Sequence, residues 1–146
     1  MTAQLLTIKQ QFPSHRGKKR ILLIEDNDIN RMLLSDYLSY CRYEVQSFPE
    51  GSKFFDTIEN FKPDLILLDL KLPDIDGYSL LAKKEQKADL KYIPIFVVSA
   101  FAFKADQEKA MKLGARRYFV KPINLTELVM AIEEELACQY LQQISF

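Results

Sequence analysis

The sequence lacks any apolar run that approaches the roughly 18 residues of a membrane-spanning helix. It also lacks a charged start followed by an apolar block and a small-residue cleavage site, which is the pattern of a secretory leader. Its 48% hydrophobic and 27% charged residues are typical of a globular protein. We therefore expect a cytoplasmic protein without membrane association, whose 146 residues are enough for one domain with a real core.

Cysteine and histidine are scarce. The cysteines are Cys41 and Cys138, the single histidine is His15, and no CxxC pair occurs. This pattern indicates neither a disulfide framework nor a zinc site built from cysteine and histidine.

The body of the chain has no excess of basic residues. Of 20 bases and 20 acids, five bases and no acid lie in residues 1–20, which leaves 15 bases against 20 acids in the rest. A nucleic-acid-binding domain would carry a basic face on its folded part, so we expect no nucleic-acid partner. Residues 1–20 also lack a strong periodicity and are predicted to be a loosely docked N-terminal extension.

Short apolar segments recur along the chain and predict five strands. Residues 21–24, 65–68, 95–98 and 117–120 are nearly continuous apolar runs, as in strands buried on both faces. Residues 43–48 alternate in polarity and predict a half-exposed edge strand.

A helical segment follows each strand. In the first helix, Ile29, Met32, Leu33, Tyr37 and Leu38 recur at helical spacing and predict its apolar side. The third helix begins after Gly77, and its polar run at 83–87 predicts a solvent-facing side. The alternation of strands and helices through short loops predicts an α/β fold, with a doubly wound five-stranded parallel sheet and helices on both faces.

Polar groups follow four of the five predicted strands: Glu25 and Asp26 after the first, Asp69 after the third, Ser99 after the fourth and Lys121 after the fifth. Each alone has an ordinary explanation, because an acid or a serine there commonly caps a helix and a lysine is usually solvated. In the common strand order 2-1-3-4-5 these four strands are neighbours, and their carboxyl ends form the ligand crevice. We therefore expect these side chains to converge on one pocket.

Three carboxylates in one pocket repel one another, by roughly 3 kcal/mol per pair at about 5 Å and an effective dielectric of about 20. Lys121 and a hard divalent ion such as Mg²⁺ are the two candidates that could offset this repulsion. A carboxylate, Mg²⁺, a lysine and a hydroxyl are together the groups needed to move a phosphoryl group onto an aspartate, with the Asp69 oxygen as the nucleophile.

Four segments of the sequence resemble the response-regulator receiver domain of two-component signalling. They are residues 24–27, 68–77, 98–100 and 118–122, and the resemblance covers residues 21 to about 137. It implies a flavodoxin-like fold with strand order 2-1-3-4-5.

The resemblance also implies roles for individual residues. Asp69 would be the phosphoacceptor, and Mg²⁺ would be held by Glu25, Asp26, Asp69 and the backbone carbonyl of Lys71. Ser99 and Lys121 would bind the phosphoryl group. Tyr118 matches the aromatic residue that, together with Ser99, switches conformation, and the bond between Lys121 and Pro122 would be cis.

The resemblance implies a phosphodonor partner, either a histidine kinase or a histidine phosphotransfer protein. We expect residues 21–146 to form a stand-alone receiver domain that signals by contact, because the chain after residue 137 is too short for an output domain. Leu136, Tyr140 and Ile144 continue the stripe of the last helix, with Leu141 and Phe146 beside it. This overhang predicts a homodimer or kinase docking through the C-terminal helix.

Three other functions remain as alternatives. A haloacid-dehalogenase-like phosphatase needs a second aspartate two residues after the first, where this chain has Lys71. A flavodoxin-type or Rossmann-type nucleotide site needs glycines after the first strand, and residues 25–28 are acidic and contain none. A receiver-like interaction module that works without phosphorylation is the more serious alternative.

Overall fold

The structure is a computed structural model that describes residues 17–144. Most of the predicted N-terminal extension therefore lies outside the described residues. The strands are β1 (Arg20–Ile24), β2 (Glu44–Phe48), β3 (Leu65–Leu68), β4 (Ile95–Ser99) and β5 (Arg117–Val120). The helices are α1 (Asp28–Tyr40), α2 (Phe54–Phe61), α3 (Gly77–Glu85), α4 (Lys104–Lys112) and α5 (Leu125–Ile144).

The five strands form one parallel sheet in the order β2-β1-β3-β4-β5, which confirms the predicted fold. The register pairs Ile24 with Leu68 and Leu68 with Val97, so the ends of the central strands lie side by side. The residues that follow these strands are therefore brought to the same edge of the sheet.

Two hydrophobic clusters cover the two faces of the sheet, because successive strand side chains point to opposite sides. In β3, Ile66 and Leu68 join the cluster beneath α2, α3 and α4, whereas Leu65 and Leu67 join the cluster beneath α1 and α5. Each fully buried leucine or isoleucine stabilises the fold by about 1.5–3 kcal/mol. The site is thus carried by a rigid, doubly covered platform.

The predicted apolar side of α1 is mostly wrong. Leu34 and Leu38 are buried against the sheet, whereas Ile29, Met32 and Leu33 are exposed. Of the predicted set only Leu38 is buried, and Tyr37 is half-buried.

The predicted solvent-facing run at 83–87 is wrong at Lys84, whose residue surface is only 2% exposed. Lys84 follows Leu80 by four positions and Leu81 by three, so helical geometry places it on the buried side. Its Nζ donates to the carbonyl oxygen of Lys91 at 3.3 Å, and burial lowers the pKa of Lys84.

The last helix extends to Ile144, as predicted, and its 20 residues make it about 30 Å long. Asn124 caps it, because its Oδ1 accepts the backbone N–H of Glu127 at 3.1 Å. Leu128, Ile132 and Leu136 pack into the core. The side chains of Tyr140, Leu141, Ile144 and Phe146, on which the predicted overhang depends, lie outside the described residues. Within residues 17–144, no helix has the length and hydropathy of a membrane span.

Candidate functional site

Glu25 and Asp69 are placed by the ends of their strands. The backbone N–H of Asp69 donates to the carbonyl of Ile24 at 2.9 Å, and that of Glu25 donates to the carbonyl of Phe48 at 3.0 Å. Each acid is thus the first residue past the sheet and is still aligned by its hydrogen bonds. Their backbone positions are determined by the fold rather than by a free loop.

Lys121 joins the two acids. Its Nζ lies 2.7 Å from Oε1 of Glu25 and 3.0 Å from Oδ2 of Asp69. Its own backbone N–H donates to the carbonyl of Ser99 at 2.9 Å, which ties the end of β5 to the end of β4. The peptide bond from Lys121 to Pro122 is cis, in agreement with the sequence expectation.

The charges at this site are mostly withdrawn from solvent. Glu25 is 1% exposed and Asp69 is 4% exposed, whereas Asp26 is exposed. Burial raises the pKa of Glu25 to about 7, although the nearby Lys121 opposes this shift. Burial alone would lower the pKa of Lys121, but its hydrogen bonds to Glu25 and Asp69 outweigh that effect and raise it. The lysine is therefore a firmly charged partner of two carboxylates.

The three acids are close enough to share one cation. Glu25, Asp26 and Asp69 each offer a carboxylate oxygen, and these oxygens all lie within 4.8 Å of one another. Hard oxygen donors from carboxylates suit Mg²⁺, which keeps waters or phosphate oxygens in its remaining positions. The residues present therefore fit a divalent ion of this kind.

Ser99 and Tyr118 meet at the segment that follows β4. The buried Ser99 Oγ accepts the backbone N–H of Phe101 at 3.1 Å, and the hydroxyl of Tyr118 donates to the carbonyl of Phe101 at 2.7 Å. Burial raises the pKa of Tyr118, so its hydroxyl stays a donor. Both predicted switch residues thus contact the same peptide segment.

The loop that follows Asp69 approaches the site closely. The backbone N–H of Lys71 donates to Oδ1 of Asp69 at 3.3 Å, while the Lys71 side chain is exposed. Gly77 lies against this loop, since a Cβ at that position would be 2.6 Å from the Cα of Leu70. Only glycine fits there without displacing the backbone beside Asp69.

Sequence reasoning missed Arg31. Its Nη1 donates to the carbonyl of Glu25 at 2.9 Å, and its Nη2 lies 2.7 Å from Oδ1 of Asp28. It therefore fixes the peptide that carries an acid of the site. The sequence could have indicated this contact. Arg31 lies four residues after Asn27, the cap of α1, and one turn of helix places its side chain near the end of β1.

Comparison with known proteins gives a consistent result. Residues 21–133 match the family described as the response regulator receiver domain. The polar-differentiation response regulator DivK of Brucella anthropi is 31% identical over 118 residues, which cover 81% of this chain and 96% of DivK.

Solved structures agree with the sequence comparison. A CheY-like response regulator receiver domain protein from Methanospirillum hungatei superposes with a TM-score of 0.79 at 28% identity, over 86% of this chain and 99% of that one. The BeF3-activated receiver domain of Klebsiella pneumoniae RstA gives a TM-score of 0.74 at 26% identity, over 81% of this chain and 98% of that one.

Proposed function

Because the chain belongs to the response regulator receiver domain family, we propose that it is a phosphoacceptor protein of a two-component or phosphorelay system. Asp69 takes a phosphoryl group from the phosphohistidine of a histidine kinase or a histidine phosphotransfer protein. The observation that carries the proposal is the pairing of Lys121 with both Glu25 and Asp69, beside the carboxylate of Asp26.

The chemistry assigns one task to each side chain. A carboxylate oxygen of Asp69 attacks phosphorus, the new O–P bond forms as the N–P bond to the donor histidine breaks, and the imidazole leaves. Lys121 stabilises the negative charge that develops on the transferred group, because its ammonium already lies 3.0 Å from Oδ2 of Asp69. The Ser99 hydroxyl donates a hydrogen bond to the transferred group.

Glu25, Asp26, Asp69 and the backbone carbonyl of Lys71 would hold Mg²⁺. When bound, this ion supplies positive charge to the oxygens of the phosphoryl group. Asp26 is the exposed member of the set. Besides transfer from phosphohistidine, we propose Mg²⁺-dependent self-phosphorylation from small donors and autodephosphorylation.

We propose that phosphorylation is read out through Ser99 and Tyr118. When the Ser99 hydroxyl turns toward a phosphoryl group, it gives up the backbone N–H of Phe101. The Tyr118 hydroxyl bonds to the carbonyl of the same residue, so a shift of this segment releases the ring to turn inward. The face around Ser99, Tyr118 and α5 then differs between the two states.

Self-association through the C-terminal helix is a further part of this proposal. The backbone of α5 continues to Ile144, well past Leu136, which is the last buried residue up to position 139, where the description of side chains ends. Sedimentation of the chain with and without residues 138–146 tests the proposal, since an unchanged monomer would contradict it.

The central experiment is phosphorylation by acetyl phosphate with Mg²⁺, followed by intact mass measurement. We expect a gain of one phosphoryl group that hydroxylamine removes, as it does from an acyl phosphate. Asp69→Asn should abolish the gain, and Asp36→Asn, a matched change of an exposed acid on α1, should keep it. No gain in the wild type would instead favour an interaction module that works without phosphorylation.

A further inference from the structure

Asp74 lies in the segment that connects Asp69 to α3, which we call the β3–α3 loop (residues 69–76). Its side chain is exposed, yet its Oδ1 accepts the backbone N–H of Gly51 at 2.9 Å. Gly51 belongs to the connection between β2 and α2, the β2–α2 loop (residues 49–53). This hydrogen bond also lowers the pKa of Asp74, which keeps the carboxylate charged as an acceptor.

The two loops also pack tightly. A Cβ on Gly51 would lie 3.0 Å from Cδ1 of Leu80, 3.4 Å from Cδ1 of Leu72 and 3.5 Å from Cβ of Ile75. Because β1 separates β2 from β3 in the sheet, the strand ladder does not align these loops with each other. This packing and the hydrogen bond from the Gly51 N–H to Asp74 join the two loops directly.

The β3–α3 loop includes Lys71, whose backbone lies beside Asp69 in the site. Lys71 lies two residues after Asp69 and donates its backbone N–H to Oδ1 of that residue at 3.3 Å. On the far side, the N–H of Gly77 donates to the carbonyl of Leu70 at 2.9 Å. Asp74 ties down the stretch between these two bonds.

We infer that Asp74 is a positioning residue, which accepts the N–H of Gly51 and thereby keeps the backbone of Lys71 in place beside Asp69 for the binding of Mg²⁺. This inference rests on the proposed function, because the carbonyl of Lys71 is a ligand only if that function holds. Groups that orient metal ligands without contacting the metal commonly change affinity by about 10–100-fold when they are lost.

The test compares two variants that remove the same charge. Asp74→Ala loses both the charge and the acceptor, whereas Asp74→Asn loses the charge but keeps an Oδ1 that can accept the N–H of Gly51. Mg²⁺ dissociation constants are measured by titration calorimetry at fixed ionic strength. Amide hydrogen exchange at Gly51 is measured without metal, and thermal unfolding verifies that each variant is folded.

Binding should weaken about tenfold in Asp74→Ala and stay within about twofold of the wild type in Asp74→Asn. Exchange at Gly51 should accelerate in the alanine variant alone. Equal weakening in both variants would overturn the inference, because it would show a simple charge effect. Unchanged binding in Asp74→Ala would overturn it as well.

These measurements distinguish a failure of the positioning role from a failure of the metal site. If the wild type binds Mg²⁺ and Asp74→Ala binds it equally well, only the positioning role fails. If the wild type binds no Mg²⁺, the proposed metal site fails and the inference fails with it, even where exchange at Gly51 shows that the hydrogen bond exists.

Discussion

The ammonium nitrogen of Lys121 lies 3.0 Å from Oδ2 of Asp69, although the two residues are 52 positions apart in the chain. The same nitrogen lies 2.7 Å from Oε1 of Glu25. The ammonium of Lys121 therefore pairs with two buried carboxylates, which would otherwise repel each other. Lys121 therefore stabilises the site in the absence of metal.

Lys121→Met should destabilise the metal-free protein in a pH-dependent way. Near pH 8 the change removes the cation that offsets the burial of Glu25 and Asp69, so that Glu25 must either stay charged without a partner or take up a proton, and we expect a loss of about 3 kcal/mol in the free energy of unfolding. Near pH 5 the loss should be smaller, because the pKa of Glu25 is about 7 and that group then carries a proton. Urea denaturation at both pH values measures the difference. Lys121→Arg keeps the charge and is the control; an equal loss at both pH values would contradict the explanation.

Asp26→Asn should have opposite effects with and without Mg²⁺. Without metal, it removes one of three mutually repelling carboxylates, and we expect the melting temperature to rise by roughly 2–5 °C. With millimolar Mg²⁺, the wild type should be stabilised by binding and the variant much less so. Thermal unfolding in both conditions provides the measurement.

Asp36→Asn, an exposed acid later in α1, is the matched control for this charge change. It should respond to Mg²⁺ as the wild type does. If millimolar Mg²⁺ did not change the melting temperature of the wild type, the acidic cluster would not bind the ion.

Lys84→Met tests the cost of a buried ammonium. The pKa of Lys84 is lowered by burial, so between that pKa and about 10.5 the unfolded chain binds more protons than the folded one. The contribution of Lys84 to stability therefore rises with pH in this window. Near pH 7 the variant should lie within about 1 kcal/mol of the wild type. Toward pH 10 the difference should shift in favour of the wild type.

Urea denaturation across this pH range measures that shift, and Lys83→Met, in the exposed neighbour, should not show it. A shift in favour of the Lys84→Met variant at high pH would show that the folded state prefers the charged lysine.

The positions of the site residues could be predicted because a parallel sheet fixes them. Once the strands and their order are known, the residues after β1, β3, β4 and β5 must lie at the same edge of the sheet. The role of Asp74 was beyond this reasoning, because its partner Gly51 lies 23 positions away and is brought near only by the fold. Arg31 was missed although its partner, the carbonyl of Glu25, lies six positions earlier, at the end of the strand before its own helix. The side of α1 that faces the core was mispredicted for a related reason. Arg31 lies three positions before the buried Leu34, so that side of the helix carries a cation and its apolar pattern is weakened.

Two adjacent leucines on α1 test this assignment. Leu34 is 3% exposed and packs in the core, whereas Leu33 is 53% exposed. Leu34→Ala should lower the free energy of unfolding by about 2–4 kcal/mol, because it removes buried methyl groups and leaves a cavity. Leu33→Ala should change it by less than about 0.5 kcal/mol, since alanine has the higher helix propensity and little packing is lost. Denaturant unfolding of both variants gives the comparison, and a larger loss for Leu33→Ala would mean that the helix is rotated relative to the orientation described above.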